Sequence, residues 1–329
     1  MTAQPRPKYF TRAMREALAE AMREDERVVI LGEDIDRGVI GVTTKLIDEF
    51  GPNRIRNTPI SEAGFVGSAV GAAAVGVRPV VDLMFSSFTY VAMDQIANQA
   101  AKLRYMSGGQ VELPLTIFAS TGPSDGAAAQ HSESPHSMLM NVAGLKVVVP
   151  SDPHDAKGLM LAAIRDPNPV VYLQDNMLAG SKGPVGEGAY EIPLGVAEVK
   201  REGADVTVVA VGYLVREALK AAERLEQEQG VSVEVIDPRT LAPLDLDTIL
   251  ESVRKTGRLV VCDSARITCS FASEIVASVS ERAHDALVSA PRRVAPRDVP
   301  MPFSPVLEKT VIVGADDIEQ AILDVRKDQ

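Results

Sequence analysis

The chain has 329 residues, 46% of them apolar and 24% charged, with a formal net charge of −11. That length accommodates two domains of ordinary size, each with its own core. The acidic balance argues against nucleic acid and anionic membrane as partners, and no apolar run reaches the length of a membrane span. Cys262 and Cys269 are the only cysteines and show no metal-ligand spacing, so they read as reduced thiols of a cytoplasmic protein. The start, residues 1–10, carries neither the apolar core of a signal peptide nor an Arg-rich amphipathic pattern.

Thr11 to Arg23 places Met14, Leu18 and Met22 at helical spacing, with Thr11 as the expected cap. Val28 to Leu31 reads as a buried parallel strand that ends in Gly32-Glu33-Asp34. A short helix from Thr43 to Phe50 is stopped by Gly51-Pro52. Pro79 to Phe85 is the second strand, Val91 to Tyr105 a helix ended by Gly108-Gly109, and Leu113 to Phe118 the third strand. Leu145 to Pro150, a helix from Ala156 to Arg165, and Pro169 to Leu173 complete a first alternating set. From Asp175 to Pro193 the periodicity fails, which predicts a linker over 181–194. A second set follows: strands at Val206–Val211, Val231–Ile236 and Leu259–Cys262, and helices at Val215–Gln229, Leu246–Lys255, Ser270–Ser289 and Asp316–Val325. The fold class is therefore α/β, two doubly wound domains with mostly parallel sheets, over 1–180 and 195–329.

The chemistry concentrates around residues 58–71. Pro59 presets an extended approach, Ser61 is the expected N-cap, and Glu62 falls in the first helical turn, where the helix dipole favours a negative charge. Gly64, Gly67 and Gly71 leave one helix face almost bare, at a cost of roughly 1 kcal/mol per Gly against Ala. Two readings fit: a tightly packed core helix with an ordinary first-turn acid, or a helix that presents Glu62 to a ligand. By the open-sheet rule, ligands gather at the carboxyl ends of strands. Gly32-Glu33-Asp34, Met84 to Phe88, Gly122 to His131 and Ser151-Asp152 all fall there. His131 reads either as an acid/base group or as a loop histidine; His136 and His154 read as surface residues, and His284 as non-functional. No phosphate-binding Gly-rich loop, H-E-x-x-H, Cys cluster or G-x-S-x-G elbow is present. What remains is half of an active site.

Ser61-Glu62-x-Gly64-Phe65-Val66-Gly67, Asp94-Gln95-x-x-Asn98, Lys102 to Gly109, Gln130-His131-Ser132, Gly144 to Val148, Asp155 to Gly158, Ile236-Asp237-x-Arg239-Thr240, Pro243-Leu244-Asp245 and Lys255 to Arg258 resemble the beta subunit of a thiamine-diphosphate-dependent 2-oxo acid dehydrogenase. The family includes pyruvate, branched-chain 2-oxo acid and acetoin dehydrogenases, and the resemblance runs from about residue 8 to residue 325.

The resemblance implies a pyrimidine-binding domain followed by a transketolase C-terminal-like domain. It implies an alpha partner that holds the cofactor's diphosphate and magnesium, in an alpha2-beta2 heterotetramer that passes the acyl group to lipoamide on a dihydrolipoyl acyltransferase. Glu62 matches the glutamate that hydrogen-bonds the aminopyrimidine ring. A carboxylate sharing a proton with that ring favours the imino tautomer, whose nitrogen can take the thiazolium proton. Phe88 matches the stacking aromatic, Ile60 and Met84 its neighbours, and His131 a histidine that assists reductive acylation. Leu115, Ala163, Ile164, Asp166 and Asn168 match positions around a potassium ion held mainly by carbonyls.

Phe118, Thr121 to Asp125, Asn141 and Thr268-Cys269-Ser270 depart from the family pattern. They leave the substrate open between a 2-oxo acid and acetoin. A split transketolase-like enzyme and a non-catalytic scaffold are the other readings.

Overall fold

A computed structural model describes residues 6–124 and 126–327, so residues 1–5, Asp125 and residues 328–329 lie outside the described residues. The described residues form two compact units, those within 6–121 with 138–194, and those within 122–137 with 195–327.

The first unit runs β1 (Arg6–Tyr9), α1 (Phe10–Glu24), β2 (Val28–Gly32), α2 (Leu46–Phe50), β3 (Ile55–Asn57), α3 (Glu62–Ala74), β4 (Arg78–Phe85), α4 (Ala101–Met106) and β5 (Thr116–Thr121). After the excursion into the second unit, a short α5 (His136–Met140) leads to β6 (Lys146–Val148), α6 (Pro153–Arg165), β7 (Val170–Asp175) and β8 (Lys182–Val185). The main sheet is parallel in the order β6-β7-β5-β4-β2-β3. Its central strands β5 and β7 are buried along their whole length, because helices cover both faces. α6 is buried all round and begins at a cap of complementary parts: the Asp152 side chain accepts the Asp155 N–H at 2.8 Å and Pro153 occupies the first turn.

Three local expectations change. The segment 181–194 is not a bare linker: β8 pairs antiparallel with β1, Arg6 opposite Val185, and belongs to the first unit. A two-stranded ribbon with Lys8 and Pro184 in it has no apolar alternation to betray it. The helix expected over Val91–Tyr105 is a π-helical segment (Asp94–Ala100) that runs into α4, and a 3₁₀ turn (Ser86–Tyr90) precedes it. Within the π segment Asn98 donates to Asp94 Oδ1 at 2.8 Å. α1 starts at Phe10, with Tyr9 rather than Thr11 in the N-cap position.

The second unit runs β9 (Glu198–Arg201), β10 (Val206–Ala210), α7 (Tyr213–Gln229), β11 (Val233–Asp237), β12 (Thr240–Ala242), α8 (Leu246–Thr256), β13 (Leu259–Cys262), α9 (Phe271–Arg282), β14 (Arg292–Val294), α10 (Pro305–Glu308) and α11 (Ala315–Lys327). Its sheet order is β14-β13-β10-β11-β9, parallel except for β9. Among the described residues no helix is long and apolar enough to cross a membrane.

Candidate active site

Chain order reverses between β2 and β4. From β2 the chain moves outward to β3; from β4 it moves the other way, to β5. In open α/β sheets a reversal of this kind leaves a crevice at the carboxyl ends of the two strands, where ligands bind. The backbones close tightly beneath it. Gly32 stands opposite Asp82, and a Cβ on Gly32 would lie 2.4 Å from the Asp82 carbonyl oxygen. The Thr58 N–H donates to the Gly32 carbonyl at 2.9 Å and the Ile35 N–H to Asn57 Oδ1 at 3.1 Å, which ties the loops above β2 and β3 together.

α3 begins at that point. Glu62 is its first residue and is 7% exposed. Ser61 holds the N-cap position, but its side chain makes no capping bond, so the dipole at the helix start acts on Glu62 and on whatever binds it. Two further acids gather here. Glu33, the residue after β2, is half-buried, and its Oε1 has no hydrogen-bond partner. Burial first, then the nearby Glu62 and Asp34 charges, push its carboxyl up. Asp82 is buried within β4; burial pushes its carboxyl up to about 7, with a further push from Glu33 and an opposing pull from the Met84 N–H.

That N–H is part of a distortion. β4 keeps register with β5 through Asp82 and then slips before Phe85. In the slipped stretch Met84 has φ +61, left-handed backbone that costs a non-Gly residue roughly 1–2 kcal/mol. Asp82 Oδ1 accepts the Met84 N–H at 2.9 Å and holds the turn. Bulges of this kind re-aim side chains beside active sites. The 3₁₀ turn that follows carries Phe88, half-buried, with its ring edge-on to Phe85 at 5.9 Å and 90°. Ile60, two residues before Glu62, is 84% exposed. Along α3, Gly64, Ser68 and Gly71 form an exposed small-residue stripe, and a Cβ on Gly71 would meet nothing within 4 Å.

The first unit thus carries Ile60, Glu62, Met84 and Phe88 on the loop, helix start, bulge and turn that converge on the switch point. His131 belongs to the second unit, half-buried on a 3₁₀ turn (Ala129–His131). His136, expected at the surface, is fully buried: its Nε2 lies 2.7 Å from Asp263 Oδ1, also fully buried.

The potassium positions lie apart from this crevice, at the other ends of the strands. The Ile164 carbonyl accepts from Arg78 Nη1 at 3.0 Å and the Leu115 carbonyl from the Val170 N–H at 2.9 Å. The Asp166 carboxylate pairs with Lys146 and accepts from the Asn168 backbone and side-chain amides, while Arg104 donates to Asn168 Oδ1. Three cationic side chains, Arg78, Arg104 and Lys146, engage oxygens at these positions.

Sequence reasoning missed Asp82 and undervalued Glu33. An acid interrupting Val80-Val81 and Leu83 in a buried strand was the available signal for the first; an acid directly after a strand-ending glycine was the signal for the second.

Comparison with known proteins identifies the family. Residues 7–179 match the family model described as transketolase, pyrimidine binding domain, and residues 195–318 that of transketolase, C-terminal domain. The chain is 45% identical to the acetoin:2,6-dichlorophenolindophenol oxidoreductase subunit beta of Bacillus subtilis, over 95% of both chains. Against the subunit of the same name from Cupriavidus necator identity is 46%, over 94% of both. It is 43% identical to the pyruvate dehydrogenase E1 component subunit beta of Rickettsia bellii, over 94% of this chain and 96% of that one. A solved structure described as a split gene transketolase, inactive beta4 tetramer, superposes with a TM-score of 0.80 at 26% identity, covering 97% of this chain and 98% of the other. The chain belongs to the family of thiamine-diphosphate-dependent 2-oxo acid dehydrogenase beta subunits, the group that includes the pyruvate and acetoin dehydrogenase subunits.

Proposed function

We propose that this chain supplies the aminopyrimidine-binding half of a thiamine diphosphate site, and that an alpha subunit in an alpha2-beta2 heterotetramer holds the diphosphate and magnesium. The observation that carries this reading is the Glu62 carboxylate, nearly buried at a helix start on the switch point of the sheet. The surrounding residues fit the group. Ile60 offers uncovered apolar surface, Phe88 a half-buried ring, and the bulged Met84 an apolar edge, while Glu33 retains an unpartnered oxygen. Bound thiamine diphosphate supplies the carbanion chemistry that breaks the bond beside the substrate carbonyl.

Glu62 accepts a hydrogen bond from the ring and shares a proton with it. Its carboxylate is kept from water by burial, which strengthens that bond. Glu33, disfavoured as an anion beside Glu62, supplies a second carboxyl that readily holds a proton. Asp82 fixes the bulge and so the Met84 position. His131 acts as the acid/base group when the acyl group passes to lipoamide on a dihydrolipoyl acyltransferase. The exposed stripe on α3 is the face offered to another subunit.

The substrate is a small 2-oxo acid, pyruvate or a branched-chain acid. Acetoin is the second reading, favoured by 45% and 46% identity to subunits named for acetoin. The test is reconstitution with the alpha subunit and thiamine diphosphate, followed by dye reduction with pyruvate, branched 2-oxo acids and acetoin. Turnover that survives Glu62→Gln contradicts the reading. A complex that binds no cofactor supports a scaffold role, and ketol transfer between sugar phosphates supports a split transketolase-like enzyme.

A further inference from the structure

Residues 126–137, which carry His131, are fastened to the second unit by charged and polar contacts on both sides of that histidine. Upstream, the Gly126 N–H donates to Glu308 Oε2 at 2.9 Å, and Glu308 is itself buried. Downstream, Arg266 grips Glu133 with both prongs, Nη1 to Oε2 at 3.0 Å and Nη2 to Oε1 at 2.6 Å. The same guanidinium steadies itself through Nε on the Val299 carbonyl at 3.2 Å. Further on, His136 meets Asp263, whose carboxylate also accepts the Ala265 N–H at 2.9 Å and the Ala272 N–H at 3.2 Å, and Ser137 Oγ accepts the Phe271 N–H at 3.0 Å.

The contacts differ in kind. The His136–Asp263 pair is wholly buried, so removing either partner leaves the other uncompensated inside the fold and threatens folding. The Glu133–Arg266 pair is only partly covered, with side-chain exposures of 17% and 40%. It is two residues from His131, and its two parallel bonds fix orientation as well as distance. A fork of this kind sets the pose of a short loop without being needed to fold the unit.

We propose that Arg266 is a positioning residue for acyl transfer: through its two-pronged hold on Glu133 it sets the pose of His131. The inference rests on the functional reading above, in which His131 serves the transfer to lipoamide and not the bond cleavage before it. Displacing a catalytic group by about 1 Å costs on the order of 10²-fold in rate. The loss should fall on the step that uses His131.

The test measures two rates on the same reconstituted complex, dye-coupled turnover and lipoamide-coupled turnover. Arg266→Gln is expected to lower the lipoamide-coupled rate at least ~10-fold while the dye-coupled rate falls less than ~3-fold. Arg266→Lys, which keeps the charge without the fork, should fall between Gln and wild type. The exchanged pair Glu133→Arg with Arg266→Glu should recover most of the lipoamide-coupled rate. Should Arg266→Gln not assemble, Glu133→Gln removes the same grip from the other side and is expected to give the same split. Equal losses in both rates, no loss in either, or an exchanged pair no better than the single variants would overturn the inference. His131→Gln separates the two levels of the claim: if it leaves lipoamide-coupled turnover unchanged, the functional reading of His131 fails and this inference falls with it. If His131→Gln shows the split and Arg266→Gln does not, the inference alone fails.

Discussion

Asp82 offers a quantitative check on the electrostatics of the crevice. Its carboxyl moves from 3.8 to about 7 on burial, so the folded chain holds a proton that the unfolded chain has released. The linked stability is fully present below the unfolded carboxyl's range, falls as pH rises from about 4 to about 7, and is gone above it. At about 1.4 kcal/mol per pH unit the whole window is worth about 4 kcal/mol, and the part between pH 5 and pH 8 about 2–3 kcal/mol. Asp82→Asn cannot ionise, yet it keeps an oxygen where Oδ1 accepts the Met84 N–H. The variant should therefore gain on wild type by about 2–3 kcal/mol as pH is raised from 5 to 8. Urea unfolding of both proteins at the two pH values reads this directly. A stability difference that is the same at pH 5 and pH 8, or that moves in favour of wild type, refutes the reasoning.

Gly32→Ala should lower the urea midpoint by about 1–3 kcal/mol equivalent, because its Cβ would meet the Asp82 carbonyl oxygen at 2.4 Å and strand backbones would have to part. Asp82→Ala should cost about 1 kcal/mol less in a Met84→Gly background than in wild type, since glycine needs no help at φ +61; a double-mutant cycle with no coupling would contradict the role given to the Asp82–Met84 bond. Glu62→Gln should assemble with the alpha subunit, seen as an unchanged elution volume, and lose nearly all turnover; a variant that fails to assemble would assign Glu62 to the interface instead.

The strands of both units announce themselves as runs of β-branched and apolar residues, and the alternation with helices was enough to predict two parallel sheets. Glu62 was legible because loop, acid and small-residue helix are consecutive. Its contacts with neighbouring acids were not. Glu33 meets it, and Asp82 meets Glu33, only after strands pair in an order that no local pattern encodes. The left-handed Met84 is invisible in sequence because methionine gives no turn signal; the slip against β5 imposes it. His136 read as a surface residue because its partner, Asp263, lies 127 positions away. The π-helical segment escaped for a different reason: a single wide turn barely disturbs a 3.6-residue period.

The measurement that bears most directly on the role of Glu62 is the exchange of the thiazolium C2 proton for deuterium in the reconstituted complex, followed by acid quench and NMR. Glu62→Gln should slow the exchange by about 10²–10⁴-fold, the range of a positioned proton-transfer group, while thiamine diphosphate remains bound. Exchange at the wild-type rate in that variant, with the cofactor in place, would contradict the account.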